Sequence, residues 1–598
     1  MKTILFSYAF PGACSRVKCI NLSGKQPSAV LTKNSEFELI DLSTLFDCFG
    51  SEWFEQFSIW LAQLNSHHAG LFWWAHTATA KNLLSSSLSQ QYFQVRAICE
   101  IAKQEKFNVL NIVGATPGQM ATIASFLPAS NFQFRGRAWK LRYWHNLLNN
   151  LKSFTKQWLH FASVLVGFFR YRCSKLHDSP DLCLFTYIDG ARRVGVDNYF
   201  GRLPDLLRKT NKPFSAFYLG LLSRPYWKRL KHISKESSHT PYMALYGLLH
   251  TSDYFWALLR SFQAWWLNAY SKKNTDWQSE AYSPILREVF VNEIGGYFHN
   301  LLVYKAFCRF VKNYKPKVIV YPFENKSLEK MMLLAVRYIQ PNIKMVGYQH
   351  TSVTPKHSST LLLREGEAQY TPLPDKIITV GKITKDYFEA FGNYPSGILI
   401  TGGALRQTWR ERLPRQSMET ICVLLALSSS KDELIQSVEF FKKVMQILPD
   451  LELGIRPHIN FPISILSREL SQWITENALD FSNTLLEDNL NWCSLTAYVS
   501  STVALETLMR GKPVVKFPIS EVVSSDPLIG EVPFRWRADN HLDMVDVLMQ
   551  VNNMSASEYD EGSLCAVRYV RDYLSPMNEA VIKTFSDVLL SQGLATDA

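Results

Sequence analysis

The chain has 598 residues, 47% of them hydrophobic and 19% charged, with 64 Lys and Arg against 52 Asp and Glu, a net charge of +12. This length allows roughly two to four domains, and so much apolar material excludes a disordered chain. The 10 cysteines show no CxxC or other metal-ligand spacing, which points to buried, reduced thiols and to no metal site.

Met1–Cys14 has the outline of a lipoprotein signal, a Lys, an apolar run and Gly12-Ala13-Cys14. Ser7, Tyr8 and Pro11 interrupt that run, and Thr3–Phe10 reads better as a first buried strand. Gly70–Ala75 and Val109–Gly114 also read as buried strands, the second after a helix at Tyr92–Lys106. Arg135–Lys175 then breaks the alternation with nine Lys/Arg and no Asp/Glu. Inside it, the 12 residues Trp158–Phe169 are apolar but fall short of the roughly 18 that a spanning helix needs. With Lys152, Lys156, Arg170 and Arg172 on its flanks, this run fits a helix lying on an anionic membrane, or a helix buried between subdomains. A basic segment with aromatics can also meet nucleic acid, but the unbroken apolar run favours lipid.

Leu182–Tyr187 begins another strand. Thr186–Tyr199 carries Asp189, Arg192, Arg193 and Asp197 behind it, where a carboxylate can activate an acceptor hydroxyl and guanidiniums can hold an acidic acceptor; a solvated loop is the plainer alternative. The region from about 223 to 300 is helix-rich and aromatic. Val318–Tyr321 is a short strand that runs through Glu324, Asn325 and Lys326 into a helix at Leu328–Tyr338, and Lys344–Gln349 leads to His350. Two strand ends thus offer Glu324 and His350 to one sheet edge as a general acid/base pair, with Asn325 and Lys326 on the acceptor side.

A second α/β series begins near Asp375, with strands at Lys376–Val380, Gly397–Thr401, Ile421–Leu427, Leu451–Pro457, Ala497–Ser500 and Val514–Phe517. Gly402 and Gly403 let backbone approach a ligand, although Thr401–Arg406 (TGGALR) is not a GxGxxG fingerprint, which argues against NAD. Arg456 and His458 stand at a strand end, where they can hold phosphate oxygens. Ser500, Ser501 and Thr502 open a helix carrying Glu506, a further place for an anion. The expected architecture is α/β, two Rossmann-like domains facing a cleft. Residues 1–370 form the acceptor side, with a basic insertion at about 135–175, and residues 371–598 bind the donor.

Arg456-Pro457-His458 followed by Ser500-Ser501-Thr502 resembles the paired motifs of GT-B glycosyltransferases that use CMP-activated sugars, the bacterial sialyltransferases and Kdo transferases. It is similar also to the pair in CDP-glycerol phosphotransferases, although the order here is Pro-His rather than His-Pro. Tyr321–Lys330 and Gly347–Ser352, with Tyr199–Leu207 and Thr401–Arg406, resemble the bacterial surface-carbohydrate biosynthesis proteins, a GT-B group of capsule and lipopolysaccharide gene clusters. That resemblance takes in most of the chain. It implies a GT-B-like fold and a glycosyltransferase with no cofactor beyond a nucleotide-sugar co-substrate; the lack of a DxD cluster leads to an expectation of metal independence, and the paired motifs make CMP the preferred nucleotide. The resemblance to the CMP-sugar transferases implies His458 on the donor phosphate and Ser500, Ser501 and Thr502 on phosphate or ribose. The acceptor would be a surface polysaccharide or lipid-linked glycan, and the protein cytoplasmic, peripheral on the inner face of the cytoplasmic membrane. A CDP-glycerol-type phosphotransferase and a non-catalytic membrane-surface protein remain as alternatives.

Overall fold

The computed structural model describes residues 43–81, 85–104, 109–113, 115–127, 180–188, 196–222, 240–270, 281–354, 361–415, 420–427, 431–458, 461–519 and 524–591, with strands at 5–9, 17–21, 37–39 and 132–135 and a few single positions between. Asp189, Arg192 and Arg193 lie outside the described residues, as does nearly all of the basic insertion; within it, Leu148, Lys152, Thr155 and Leu159 are helical and exposed.

Three sheets organise the chain. The first holds β1 (Leu5–Ala9), β2 (Val17–Asn21), β3 (Phe37–Leu39), β4 (Val109–Val113) and β5 (Phe132–Arg135) in the order β3-β2-β4-β1-β5. Here β1 runs antiparallel to both β4 and β5, so this sheet is mixed, whereas alternation alone predicts a parallel one.

The second sheet is parallel throughout. It contains β6 (Leu182–Ile188), β7 (Ala216–Leu222), β8 (Tyr242–Ala244), β9 (Val318–Pro322), β10 (Lys344–Tyr348), β11 (Lys376–Thr379) and β12 (Leu399–Thr401), ordered β12-β11-β10-β9-β6-β7-β8. The third holds β13 (Cys422–Ala426), β14 (Glu452–Arg456), β15 (Leu479–Asp480), β16 (Leu495–Tyr498), β17 (Val514–Lys516) and β18 (Arg535–Arg537), ordered β15-β14-β13-β16-β17-β18 and again parallel. Every residue of β9 and of β13 is buried, as strands covered by helices on both faces must be. The architecture is α/β and GT-B-like, with two parallel sheets flanked by helices.

Strand order reverses direction once in each parallel sheet, between β6 and β9 and between β13 and β16. Loops leaving the carboxyl ends of such strand pairs diverge and open a crevice, which is where ligands bind in doubly wound sheets.

Two expectations need correcting. Gly70–Ala75 is not a strand: Leu71–Trp74 is a short helix, closed by the Trp74 N–H donating to the Gly70 carbonyl at 2.9 Å. An apolar run this short cannot tell strand from buried helix by periodicity. Second, β11 and β12 do not open the second half. They pair with β10 and complete the first parallel sheet, so the break between the two parallel sheets falls between Thr401 and Cys422 rather than at 370/371.

The two sheets share packing. The helix Ala556–Tyr573 places the Tyr573 hydroxyl 2.9 Å from the Val353 N–H, just beyond β10. The helix Glu579–Leu590 then buries Phe585 and Leu589 against Val320, Tyr348 and Ile378, on the sheet that carries Glu324 and His350.

Candidate functional site

The crevice at the β6/β9 reversal is built from three strand ends. Past β9, the Phe323 N–H donates to the Tyr348 carbonyl at 2.8 Å, which ties the two strand ends together. Asn325 then turns at φ 53°, a left-handed conformation uncommon outside glycine, and is buried. Glu329, in the first turn of the helix Ser327–Ile339, fixes that turn by accepting the Glu324 N–H on both carboxylate oxygens, at 3.2 and 3.0 Å. Burial, and then the charge of Glu324, push the Glu329 carboxyl up to about 8.

Glu324 is held between two nitrogens. Lys326 pairs with one of its oxygens, and His350 Nε2 stands 3.5 Å from the other. Burial drives the His350 imidazole down to about 4; Arg406 and Lys326 push the same way while Glu324 opposes them. His350 is therefore neutral at physiological pH.

Aromatic rings wall this pair. Tyr199 meets His350 edge-on at 4.8 Å and Tyr187 at 5.5 Å. Lys326 lies 5.9 Å from the Tyr187 ring centroid, and Arg406 lies 6.0 Å from that of Tyr199. The Tyr187 hydroxyl is buried without a hydrogen-bond partner among the described residues. An orphaned hydroxyl beside two carboxylates and a lysine is what a polar ligand would satisfy.

Behind the crevice, Lys81 and Glu367 form a wholly buried ion pair at 2.6 Å. Lys330, next to Glu329, sits 4.1 Å over the Trp74 ring, and burial drives its ammonium down to about 7.

At the β13/β16 reversal, the Ser500 hydroxyl donates to Glu433 at 2.7 Å. Ser501 is buried, while Thr502 is exposed and stands at the N-cap of Val503–Met509 without capping it. Arg456 is tied down by Asn489 at 2.6 Å and by the Thr484 carbonyl at 3.0 Å. Burial pushes the Glu506 carboxyl up, with Arg456 opposing, so these two sense one another. His458 lies half-buried in the loop past β14, its carbonyl accepting the Phe461 N–H at 2.8 Å.

A cavity of about 460 Å³ runs along Val503–Met509 and under the connection that joins the two parallel sheets. Arg406, Thr408, Arg410, Glu506, Met509 and Arg510 line it. Arg406 thus faces both Tyr199 in the first crevice and this cavity. The three guanidiniums share the cavity with Glu506 and with Glu487, which stands 3.1 Å from Arg410 and 3.9 Å from Arg510; an anionic ligand with more than one charged oxygen would bind here by displacing Glu487 from them.

The structure therefore brings Glu324, Lys326 and His350 together, and places Arg456 beside Glu506. Three expected residues do other work. Asp197 accepts from the Thr186 hydroxyl and the Tyr199 and Phe200 N–H groups, which uses up its carboxylate in shaping the loop rather than in activating an acceptor. A Cβ on Gly402 would lie 2.2 Å from Ile378, and one on Gly403 would lie 2.7 Å from Val581. Both glycines answer close packing inside the protein, not a ligand. The sequence reading missed Tyr187, Glu329, Arg410 and Arg510. Glu329 was within reach of it, because an acid in the first turn behind a strand-end loop is an N-terminal capping signal. Among the described residues no group of three or more His, Cys, Asp or Glu is placed to hold a metal ion.

No family model matches the sequence, and no curated protein matches it. Among solved structures, it is similar to a UDP-GlcNAc 2-epimerase from Neisseria meningitidis bound to UDP-GlcNAc, with 10% identity over 69% of this chain and 100% of that one and a TM-score of 0.39. It is similar also to CalG4, the calicheamicin glycosyltransferase, with 13% identity over 70% and 100% and a TM-score of 0.40. The lipopolysaccharide outer core galactosyltransferase WaaB gives 10% identity over 69% and 99% and a TM-score of 0.38. At these identities and TM-scores the fold rests on strand order and register, not on the likeness.

Proposed function

We propose that the chain is a GT-B-type glycosyltransferase that moves a sugar from a nucleotide-activated donor to a surface polysaccharide or lipid-linked glycan. The observation that carries this reading is Arg406, which reaches from the Glu324–His350 crevice into the arginine-lined cavity beside Glu506. A donor phosphate in that cavity would set its sugar toward the Glu324 carboxylate. Glu324 takes the proton from the acceptor hydroxyl while Lys326 holds its other oxygen and neutral His350 flanks the carboxylate. Arg406, Arg410 and Arg510 stabilise charge developing on the leaving phosphate.

CMP is the preferred nucleotide, on the resemblance of Arg456-Pro457-His458 and Ser500–Thr502, and the setting is the inner face of the cytoplasmic membrane. Among the described residues no helix is long and apolar enough to cross a membrane. Thermal-shift measurements with CMP, CDP, UDP and GDP test the donor site, since a nucleotide bound only by the native state raises Tm. No shift with any of the four overturns the reading. Product mass then separates sugar transfer from transfer of a glycerol phosphate, because only the latter adds phosphorus.

A further inference from the structure

The helix Thr251–Tyr270 presents two unlike faces. Tyr254, Ala257 and Ser261 are buried on one side of it. Phe255, Leu259, Phe262 and Trp266, spaced by four, three and four residues, share the opposite face, and each is more than half exposed. Leu267 extends this stripe and is half exposed. The outward face of a surface helix is ordinarily its polar one, and here it is aromatic and aliphatic over about 16 Å. Phe72 adjoins it, also exposed, with its ring 6.5 Å from that of Trp256.

Among the described residues, two cations stand beside the stripe. Arg260 lies 5.3 Å from the Phe72 ring centroid, and Lys305 lies 4.3 Å from that of Trp256. The helix's one carboxylate, Asp253, is buried and paired with Arg309 at 2.5 Å.

We propose that this face docks on an anionic lipid bilayer, the aromatic stripe entering the headgroup layer and Arg260 and Lys305 meeting lipid phosphates. Exposed Trp, Phe and Leu between cations are the chemistry of an interfacial helix. A second copy of the chain docked through the same face would bring two patches carrying the same cations together, so the charges favour phosphate. The surface stands on its exposure and charge whether or not the cleft transfers a sugar.

Co-sedimentation of the full chain with phosphatidylglycerol-containing vesicles, against pure phosphatidylcholine vesicles, tests this. Wild type is expected to pellet with the anionic vesicles and less so as salt rises. The double variant Leu259→Glu/Phe262→Glu, altered only at exposed positions, is expected to lower partitioning about tenfold or more at unchanged Tm. Arg260→Glu, which leaves the apolar stripe in place, should weaken binding to the anionic vesicles alone. Three results overturn the proposal: no binding by wild type, equal binding by the double variant, or a wild-type dimer that the double variant dissolves in sedimentation velocity.

Discussion

Glu324 shares its two oxygens between Lys326 and His350, so its carboxylate is oriented before any substrate arrives. Glu324→Gln keeps the shape and removes the base. It should lower kcat by about 10²–10⁴-fold while leaving the nucleotide-induced thermal shift intact, which assays of transfer and Tm on the same preparation would show. Glu329 gives a prediction about stability. Its carboxyl is raised from 4.5 to about 8, so between those values the folded chain binds the proton more tightly than the unfolded one. Stability from this residue is present below the unfolded value and is lost as pH rises toward 8. Urea midpoints should therefore fall across that window, and Glu329→Gln should flatten the fall. Lys81 and Glu367 are both fully buried, so Lys81→Met leaves a buried carboxylate without its ion-pair partner and should cost about 3–5 kcal/mol in denaturant unfolding. Adding Glu367→Leu should restore much of that loss.

At the scale of elements, the strands that were easiest to read are those buried on both faces. Val318–Pro322 and Cys422–Ala426 are continuous apolar runs, and both lie where the sequence placed them. The short edge strands β15 and β18 carry no such run and went unread; in the mixed first sheet β1 and β4 were legible as buried runs, while β2, β3 and β5 were not. Glu324 and His350 were legible because each follows a β-branched or apolar strand directly. Arg410 and Arg510 were not, since a guanidinium on a connection and one at a helix end acquire a common cavity only through the fold. Gly402 and Gly403 show the opposite failure, a pattern that suggests ligand contact but answers packing. Gly402→Ala should thus destabilise the fold by about 1–3 kcal/mol without changing nucleotide affinity in the surviving folded fraction.

For the whole molecule, the connection between the two parallel sheets matters most, because Arg406 on it touches both crevices. Arg406→Ala should raise KM for the donor and lower kcat together, whereas Arg410→Ala, which faces the cavity alone, should act chiefly on KM. Steady-state kinetics on the two variants separates these outcomes.

The helix Glu579–Leu590 has a consequence for biosynthesis. It covers the sheet that bears Glu324 and His350, yet more than 200 residues separate His350 from Phe585 in the chain. As a nascent chain leaves the ribosome, that sheet must wait with Tyr348 and Ile378 uncovered until this late segment emerges. Half-made chains would present an apolar face to chaperones, and a protein ending before residue 579 would hold every catalytic candidate on a sheet it cannot close.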